Sequence, residues 1–460
     1  MTSGIYSFPA DIEESFQKGY VERRFRRGLQ NKAAYSKEFV REDIGMRAGD
    51  TVLKHRRGKI VPTTSPRTAL SLKGDLDNGL TAVDFTLEQY QVTAQQYAQT
   101  VDCNLVQEKA APVSLVLQYG ESIGEAAADS LELLARDAAF ESYMGGNSRI
   151  RVTTGFLATP TTTRFDIDDI RGFQNVLKEG KMQPVSASNT LGIEIDNGST
   201  KTPAVVTLVA AHGTNVSSLK DFGGISGEIT VSALGGAPSA GDSVRALNAP
   251  IVYRAGNKRD TKQIASDGLL TLDMILDAGA ELESNGVPKH RSTGAYHCML
   301  SPKSLRQLFS DTAFQKLYES LANDPVVRTA QLAKIYGVVF FPTTYAPIQK
   351  PGNHAENDVT QTIHRPLITG AESLVRADFE GVSEWASEMA GSANYRIIQD
   401  GGLALITRAP LSRLGQDIAM SWFYCGGFVC PTDIGTDSTK VPTANQATHK
   451  RCIVLEHAGS

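Results

Sequence analysis

Histidine and cysteine converge in "KHRSTGAYHC", where His290, His297 and Cys298 fall within nine residues. Imidazole and thiolate are the common ligands of zinc, which takes four of them in a structural site. No fourth ligand is near, so satisfied or exposed histidines are the expectation. A second cluster, "FDIDDI", sets Asp166, Asp168 and Asp169 together. Spaced carboxylates open a calcium loop, but the glycine and closing glutamate that complete one are missing. An acidic first turn of a short helix, stabilised by the helix dipole, accounts for the three aspartates. "GGISG" at 223–227 misses a nucleophile elbow by one residue and sits in a turn-rich segment. Cys425 and Cys430 lie inside an apolar run, which suits core thiols better than a metal site. Phosphate-binding and dinucleotide glycine patterns and the zinc-protease helix motif are all absent from the sequence. Neither catalysis nor a cofactor nor a metal is expected.

The bulk composition is that of a globular chain and not a disordered one. Hydrophobic residues make up 41% and charged residues 21% of 460, ordinary for globular protein and enough for two or three cores. Five scattered cysteines, Cys103, Cys298, Cys425, Cys430 and Cys452, fit no disulfide framework and point to a reducing compartment. The opening "MTSGIYSFPADIEE" carries no basic and apolar leader, and no apolar run is long enough to span a bilayer, so a membrane partner is not expected. The sequons at Asn197 and Asn215 then carry no meaning.

Charge is distributed unevenly. The chain sums to −4, yet residues 18–59 hold 13 Lys/Arg against 5 Asp/Glu, a local +8 that leaves −12 for the rest. A basic arm on an acidic body suits a phosphate-bearing or acidic partner as well as it suits a solvated helix face. Arg23, Arg24, Arg26 and Arg27 are its densest part.

Helical propensity marks Ala10–Gly19 and Lys32–Arg41, and from Val52 to Gln107 the period becomes two. Val83, Phe85 and Leu87 alternate with polar residues, Asp77-Asn78-Gly79 signals a turn, and a long antiparallel arm with poor packing of its own results. The strongest periodicity follows in "ESIGEAAADSLELLARDAAFESYMGG". Ser122 and Glu125 have capping-box spacing, and Ile123, Ala127, Leu131, Leu134 and Ala138 share a face. Glu132 and Arg136 are spaced for an ion pair, and Gly145-Gly146 stops a helix of about 33 Å. After one short helix over 161–181, the segment 182–256 is poor in aromatics and turn-rich, with "AVVTLVAA", "GEITVSAL" and "APIVYRA" as strands. The remainder mixes helices at Leu270–Asn285 and "SPKSLRQLF" with strands at "GVVFF", "RPLITG", "YRIIQD", "LALITR" and "IAMSWFYCGGFVC", then a polar tail ending in a short strand, Cys452–Leu455.

Three stretches in this order resemble the major capsid proteins of tailed bacteriophages with the Hong Kong 97-type fold, closest to those of podovirus type. "NLVQEKAAPVSLVLQYGESIGEAAADSLELLARDAAF" resembles the return strand of the family's extended loop and its spine helix. "HCMLSPKSLRQLFSDTAFQKLYESLANDPVVRTAQLAKIYGVVFFPTTYAP" resembles its strand, Pro-initiated helix, connecting helix and Gly-led strand. "APLSRLGQDIAMSWFYCGGFV" resembles the late strand before the C-terminus. Together they cover about a third of the chain.

The resemblance implies an α+β chain divided as follows: a basic arm over 1–50, an extended β-hairpin loop over 51–117, a spine helix over 118–146, a β-rich insert over 147–258, an axial and peripheral α/β body over 259–430 and a C-terminal tail over 431–460. It also implies the function. The expectation is a non-enzymatic shell subunit, assembling with itself into pentamers and hexamers of an icosahedral head in the bacterial host cytoplasm. Scaffolding, portal and cement proteins would be partners, and double-stranded DNA would be held by non-specific charge. The four arginines would face the lumen or the scaffold. An encapsulin-like nanocompartment shell is the rival with the same fold.

Overall fold

The computed structural model describes residues 8, 10–17, 19–29, 34–45, 49–57, 87–151, 159–178, 181–212, 224–321, 337–351, 359–390, 394–400, 402–410, 415–433 and 447–459. The chain is α+β and forms two compact units. One comprises Met1–Leu53, Gln91–Ala139 and Leu374–Cys430; the other comprises Lys54–Tyr90, Phe140–Ser373 and Pro431–Ser460.

The first unit packs helices on a six-stranded sheet. Its longest strand, Asp417–Val429, has Gln95–Asn104 along one side and both Leu403–Arg408 and Val375–Phe379 along the other. Tyr395–Asp400 and Val40–Ile44 complete it, the latter paired in parallel with Val375–Phe379. Leu403, Leu405, Ile418, Met420 and Trp422 form one core with Ile123, Ala127 and Leu131 of the long helix. Alternating strand residues thus meet the helix's fourfold and threefold steps, which is why both patterns were visible in the sequence.

That helix spans Leu115–Met144, eight residues further upstream than the spacing of Ser122 and Glu125 suggests. Those two residues lie mid-helix. The actual start is satisfied by Glu108, whose carboxylate accepts from the Leu115 and Val116 amides at 2.6 and 3.2 Å and from Ser114 Oγ at 2.7 Å. The expected Glu132–Arg136 pair is also replaced: Arg136 binds Asp137 at 2.6 Å, and Glu132 is committed to backbone amides elsewhere. The helix ends as expected, with Gly146 at φ +78, a conformation that side-chain-bearing residues disfavour.

The second unit contains a seven-stranded sheet and a closed barrel. Cys452–Ala458 pairs with Val252–Arg254, Leu367–Thr369 and Ile363–His364, and all seven of its residues are buried. The expected tail over 431–460 therefore contains a central strand, because its run of apolar residues fills both faces of the sheet. Helices Leu272–Ser284, Pro302–Phe309 and Thr312–Leu321 cover it through Ile275, Leu282, Leu308 and Phe314. The second of these is capped by Ser301 and carries proline in its first turn, as its sequence indicates.

Six strands close the barrel in the order Lys201–Ala211, Gly227–Val231, Arg164–Ile167, Asn147–Arg151, Ser243–Ala246 and Leu191–Asp196. Closure leaves no open edge, and the alternation in "LGIEID" sends Leu191, Ile193 and Ile195 inward. These strands lie within the β-rich stretch expected over 147–258, but Val252–Arg254 belongs to the seven-stranded sheet. "FDIDDI" is barrel strand and turn, not helix: Phe165 and Ile167 fill the barrel core at period two. The Asp77-Asn78-Gly79 turn and the alternation beginning at Val83 lie outside the described residues.

Candidate functional site

Among the described residues, the side chains singled out in the sequence are engaged by their neighbours. The three aspartates lie against neighbouring basic side chains. Asp166 lies 3.0 Å from His212 Nε2, Asp168 lies 3.5 Å from Lys262 Nζ, and Asp169 holds Arg171 at 2.7 Å while accepting the Arg171 and Ile225 amides. Burial pushes the Asp168 carboxyl up to about 6, with Lys262 opposing it. The His290 and His297 rings stack 3.9 Å apart; His297 meets Thr293 Oγ1 at 2.7 Å and His290 meets the Thr369 carbonyl at 3.1 Å. All five cysteines are buried thiols, and burial pushes Cys103 up to about 11 and Cys298 higher still, so neither is a ready nucleophile.

One polar cluster was not legible in the sequence. Ser301 Oγ lies 2.9 Å from His364 Nδ1, Ser304 Oγ lies 2.9 Å from His457 Nε2, and the two hydroxyls are 2.8 Å apart. A serine beside an imidazole is the geometry of an activated nucleophile. All four residues are buried, however, and Ser301 is already used as a helix cap. Burial, helped by Lys303, pushes His364 down to about 4, and burial does the same to His457. The cluster is a closed hydrogen-bond network within the sheet unit.

The basic arm is the more informative surface. Tyr20–Leu29 is a helix because Val21, Phe25 and Gly28 recur on one face, and that face is buried. Where it crosses the long helix, Gly28 and Gly124 face each other's backbone. A Cβ on Gly28 would lie 2.5 Å from the Glu121 carbonyl, and one on Gly124 would lie 2.5 Å from the Phe25 carbonyl. Only glycine at both positions permits this approach.

All four arginines of the cluster occupy the exposed side of the arm helix. Arg24 and Arg27 converge on Glu121 at 2.8 and 3.5 Å, Arg26 pairs with Glu22 at 2.9 Å, and Arg23 lies 4.9 Å over the Tyr20 ring. The side chains of Arg24, Arg26 and Arg27 remain 47%, 49% and 67% exposed, so these pairs contribute little stability and leave donors facing outward.

Further along the arm, Glu132 accepts the amides of Ala34, Tyr35 and Ser36 at 2.8, 2.6 and 3.0 Å. The glutamate is 1% exposed, and its carboxylate caps the short helix Tyr35–Glu38 in place of a local side chain. A cleft of about 440 Å³ opens beside it, lined by Leu29, Leu131, Leu403, Lys37 and Arg41 among others.

Two strands stand on either side of the undescribed residues 58–86 in sequence. Thr51–Arg57 and Leu87–Thr93 form a two-stranded sheet that pairs with no other strand among the described residues. Thr51 meets Thr93 at 3.3 Å and His55 meets Gln89 at 3.1 Å across it. Arg56 ties one end into a network in which Asp433 lies 3.3 Å from Arg56 and 3.1 Å from Arg451, and Arg451 reaches Glu372 at 3.2 Å.

No family model matches the chain, and no curated protein matches it. Solved structures similar to it are phage capsids. That of Ralstonia phage GP4 is 12% identical, with a TM-score of 0.47 over 93% of this chain and 88% of that one. The capsid of cyanophage P-SCSP1u is 10% identical, with a TM-score of 0.45 over 94% and 90%. The capsid of cyanophage Pam1 is 12% identical, with a TM-score of 0.45 over 95% and 93%.

Proposed function

We propose that this chain is the major capsid protein of a tailed bacteriophage, assembling with itself through pentamers and hexamers into an icosahedral head around double-stranded DNA. The observation that carries this reading is the two-stranded ribbon Thr51–Arg57 and Leu87–Thr93, which has no third strand among the described residues. Such a ribbon is marginal in water and gains stability by lying on a neighbour. The same geometry on every copy makes the contact heterologous, and heterologous contacts that close give rings. A 30-residue helix with a docked arm supplies the rigid strut that repeated contacts need.

In this reading residues 1–50 form the arm, 51–117 the extended loop, 118–146 the spine, and 147–258 an insert whose 182–256 part decorates the outer surface or bridges capsomers. The protein resides in the head shell after assembly in the host cytoplasm, and it is not an enzyme. Scaffolding, portal and cement proteins are its other partners. Arg23, Arg24, Arg26 and Arg27 face the lumen or the scaffold; neutralising them should change particle yield or genome content, and unchanged particles would remove that assignment. Limited proteolysis of particles should cut within 182–256, and complete protection would place the insert elsewhere.

The direct test is electron microscopy of the chain expressed alone and with its neighbouring genes. Closed shells of uniform size are expected, with DNA in particles from infected cells. A compact monomer under all conditions would overturn the proposal, and shells filled with protein instead of DNA would favour a nanocompartment.

A further inference from the structure

The outer face of the barrel carries a cavity that the assembly reading does not use. In the strand Ser243–Ala246, Val244 and Ala246 belong to the barrel core, so Ser243 and Arg245 share the outer face. The neighbouring strand sets Asp196 opposite Ser243 and Glu194 opposite Arg245, and the strand on the other side sets Asn147 opposite Arg245. The segment following the barrel brings Arg254, Lys258 and Arg259 to the same place, and together these residues and Lys201 line a cavity of about 180 Å³.

Five cations and two carboxylates line the cavity. Both carboxylates are already engaged: Glu194 binds Lys201 at 2.9 Å and Asp196 binds Arg259 at 3.0 Å. Arg254 is held at 2.8 Å by the buried Glu456. No salt bridge reaches Arg245 or Lys258 among the described residues, and the five cations outnumber the two carboxylates on one small cavity. Burial and the neighbouring Arg254 both press the Arg245 guanidinium towards its neutral form, with Glu194 opposing them.

Ser243 supplies an independent observation. Its residue is 8% exposed, its Oγ is buried, and that oxygen has no hydrogen-bond partner among the described residues. A buried hydroxyl without a partner is costly, and a ligand that accepts its hydrogen bond would recover that cost.

From these features we infer that the cavity binds a phosphate group. A tetrahedral dianion accepts two bonds from the planar Arg245 fork, takes the Lys258 ammonium as a second positive charge and accepts a third bond from Ser243 Oγ. The phosphate comes from free inorganic phosphate or from a nucleic-acid backbone, which offers the same oxygens.

The test is calorimetric titration of the full chain with sodium phosphate, with ionic strength held constant by sodium chloride. One saturable site is expected, weakened at least tenfold by Arg245→Gln and by Lys258→Gln and about threefold by Ser243→Ala. Arg245 and Lys258 are both exposed, so neither substitution removes a core side chain, and the two variants test the site independently. Arg164→Gln, which removes an arginine elsewhere on the barrel, should titrate like wild type. A single-stranded oligonucleotide that competes with phosphate identifies a backbone ligand, and phosphate binding without competition identifies the free ion. Heat no greater than that of chloride alone, or equal affinity in Lys258→Gln and wild type, would overturn the assignment.

Discussion

Removing the Glu132 carboxylate should release the arm from the long helix. Its oxygens accept three backbone amides at 2.8, 2.6 and 3.0 Å in a site that is 1% exposed. Hydrogen bonds to a charged group contribute about 1.5–3 kcal/mol each, but three on one carboxylate share a single desolvation cost. Glu132→Gln keeps the volume and one acceptor oxygen while turning an NH₂ group towards an amide. We expect it to lose about 2–3 kcal/mol, and Glu132→Ala about 3–4 kcal/mol. The loss is local, so hydrogen exchange at residues 34–36 is the assay. A 2.7 kcal/mol weakening corresponds to about a hundredfold faster exchange where opening is limiting. Glu125→Gln, exposed on the same helix, serves as control. Amides 34–36 exchanging within threefold of wild type in Glu132→Ala would show that the arm is held by its apolar face alone.

Gly124→Ala should cost about 1–3 kcal/mol by forcing the crossing apart, whereas Gly120→Ala, whose new Cβ would meet Val21 Cγ1 at 3.5 Å, should be nearly neutral in urea unfolding. Equal effects at both positions would refute the close crossing. Glu456 is fully buried; burial raises its carboxyl, but Arg365 and Arg254 at 2.8 Å outweigh this and bring it down to about 2. Its contribution is complete above the ordinary carboxylate value and is lost as pH falls through about 2; Glu456→Gln should remove about 3–5 kcal/mol at neutral pH, and a loss below 1 kcal/mol would contradict the pairing. His364, His449 and His457 are each pushed by burial down to about 4, so the unfolded chain binds more protons between that value and 6.5 and stability should fall on acidification across this window. Each imidazole contributes about 1.4 kcal/mol per pH unit there, offset in part by Asp168 and Asp260, whose carboxyls burial raises. Unfolding free energies that stay flat from pH 6.5 to 4 would refute it.

Legibility in the sequence followed the range of the interactions. The long helix, the capped helix at Pro302 and the barrel strands in "AVVTLVAA" and "GEITVSAL" were readable because their patterns and caps lie within a few residues. The helix start was misplaced because its cap, Glu108, is delivered by another helix, Leu105–Ala110, while Ser122 and Glu125 mimic a local one. The strand Val375–Phe379 was missed because Arg376 and Asp378 look solvent-facing; they are buried, 2.7 Å apart, with Tyr424 Oη 2.9 Å from Asp378. The arginine cluster was found by count alone, but its division between Glu121 and Glu22 depends on a helix crossing that no local pattern encodes. The phosphate cavity was invisible for the same reason: Ser243, Arg245 and Lys258 meet only after the barrel has closed.

The strand Cys452–Ala458 imposes an order on biosynthesis. Its partners Val252–Arg254, Leu367–Thr369 and Ile363–His364 all emerge from the ribosome before it. Until residues 452–458 arrive, Val252–Arg254 has no strand to pair with, and the sheet has a gap in its middle. Pairings this distant along the chain form slowly and leave sticky edges exposed meanwhile. A polypeptide without residues 452–458 therefore lacks the finished sheet, because Val252–Arg254, Leu367–Thr369 and Ile363–His364 lose the strand they share.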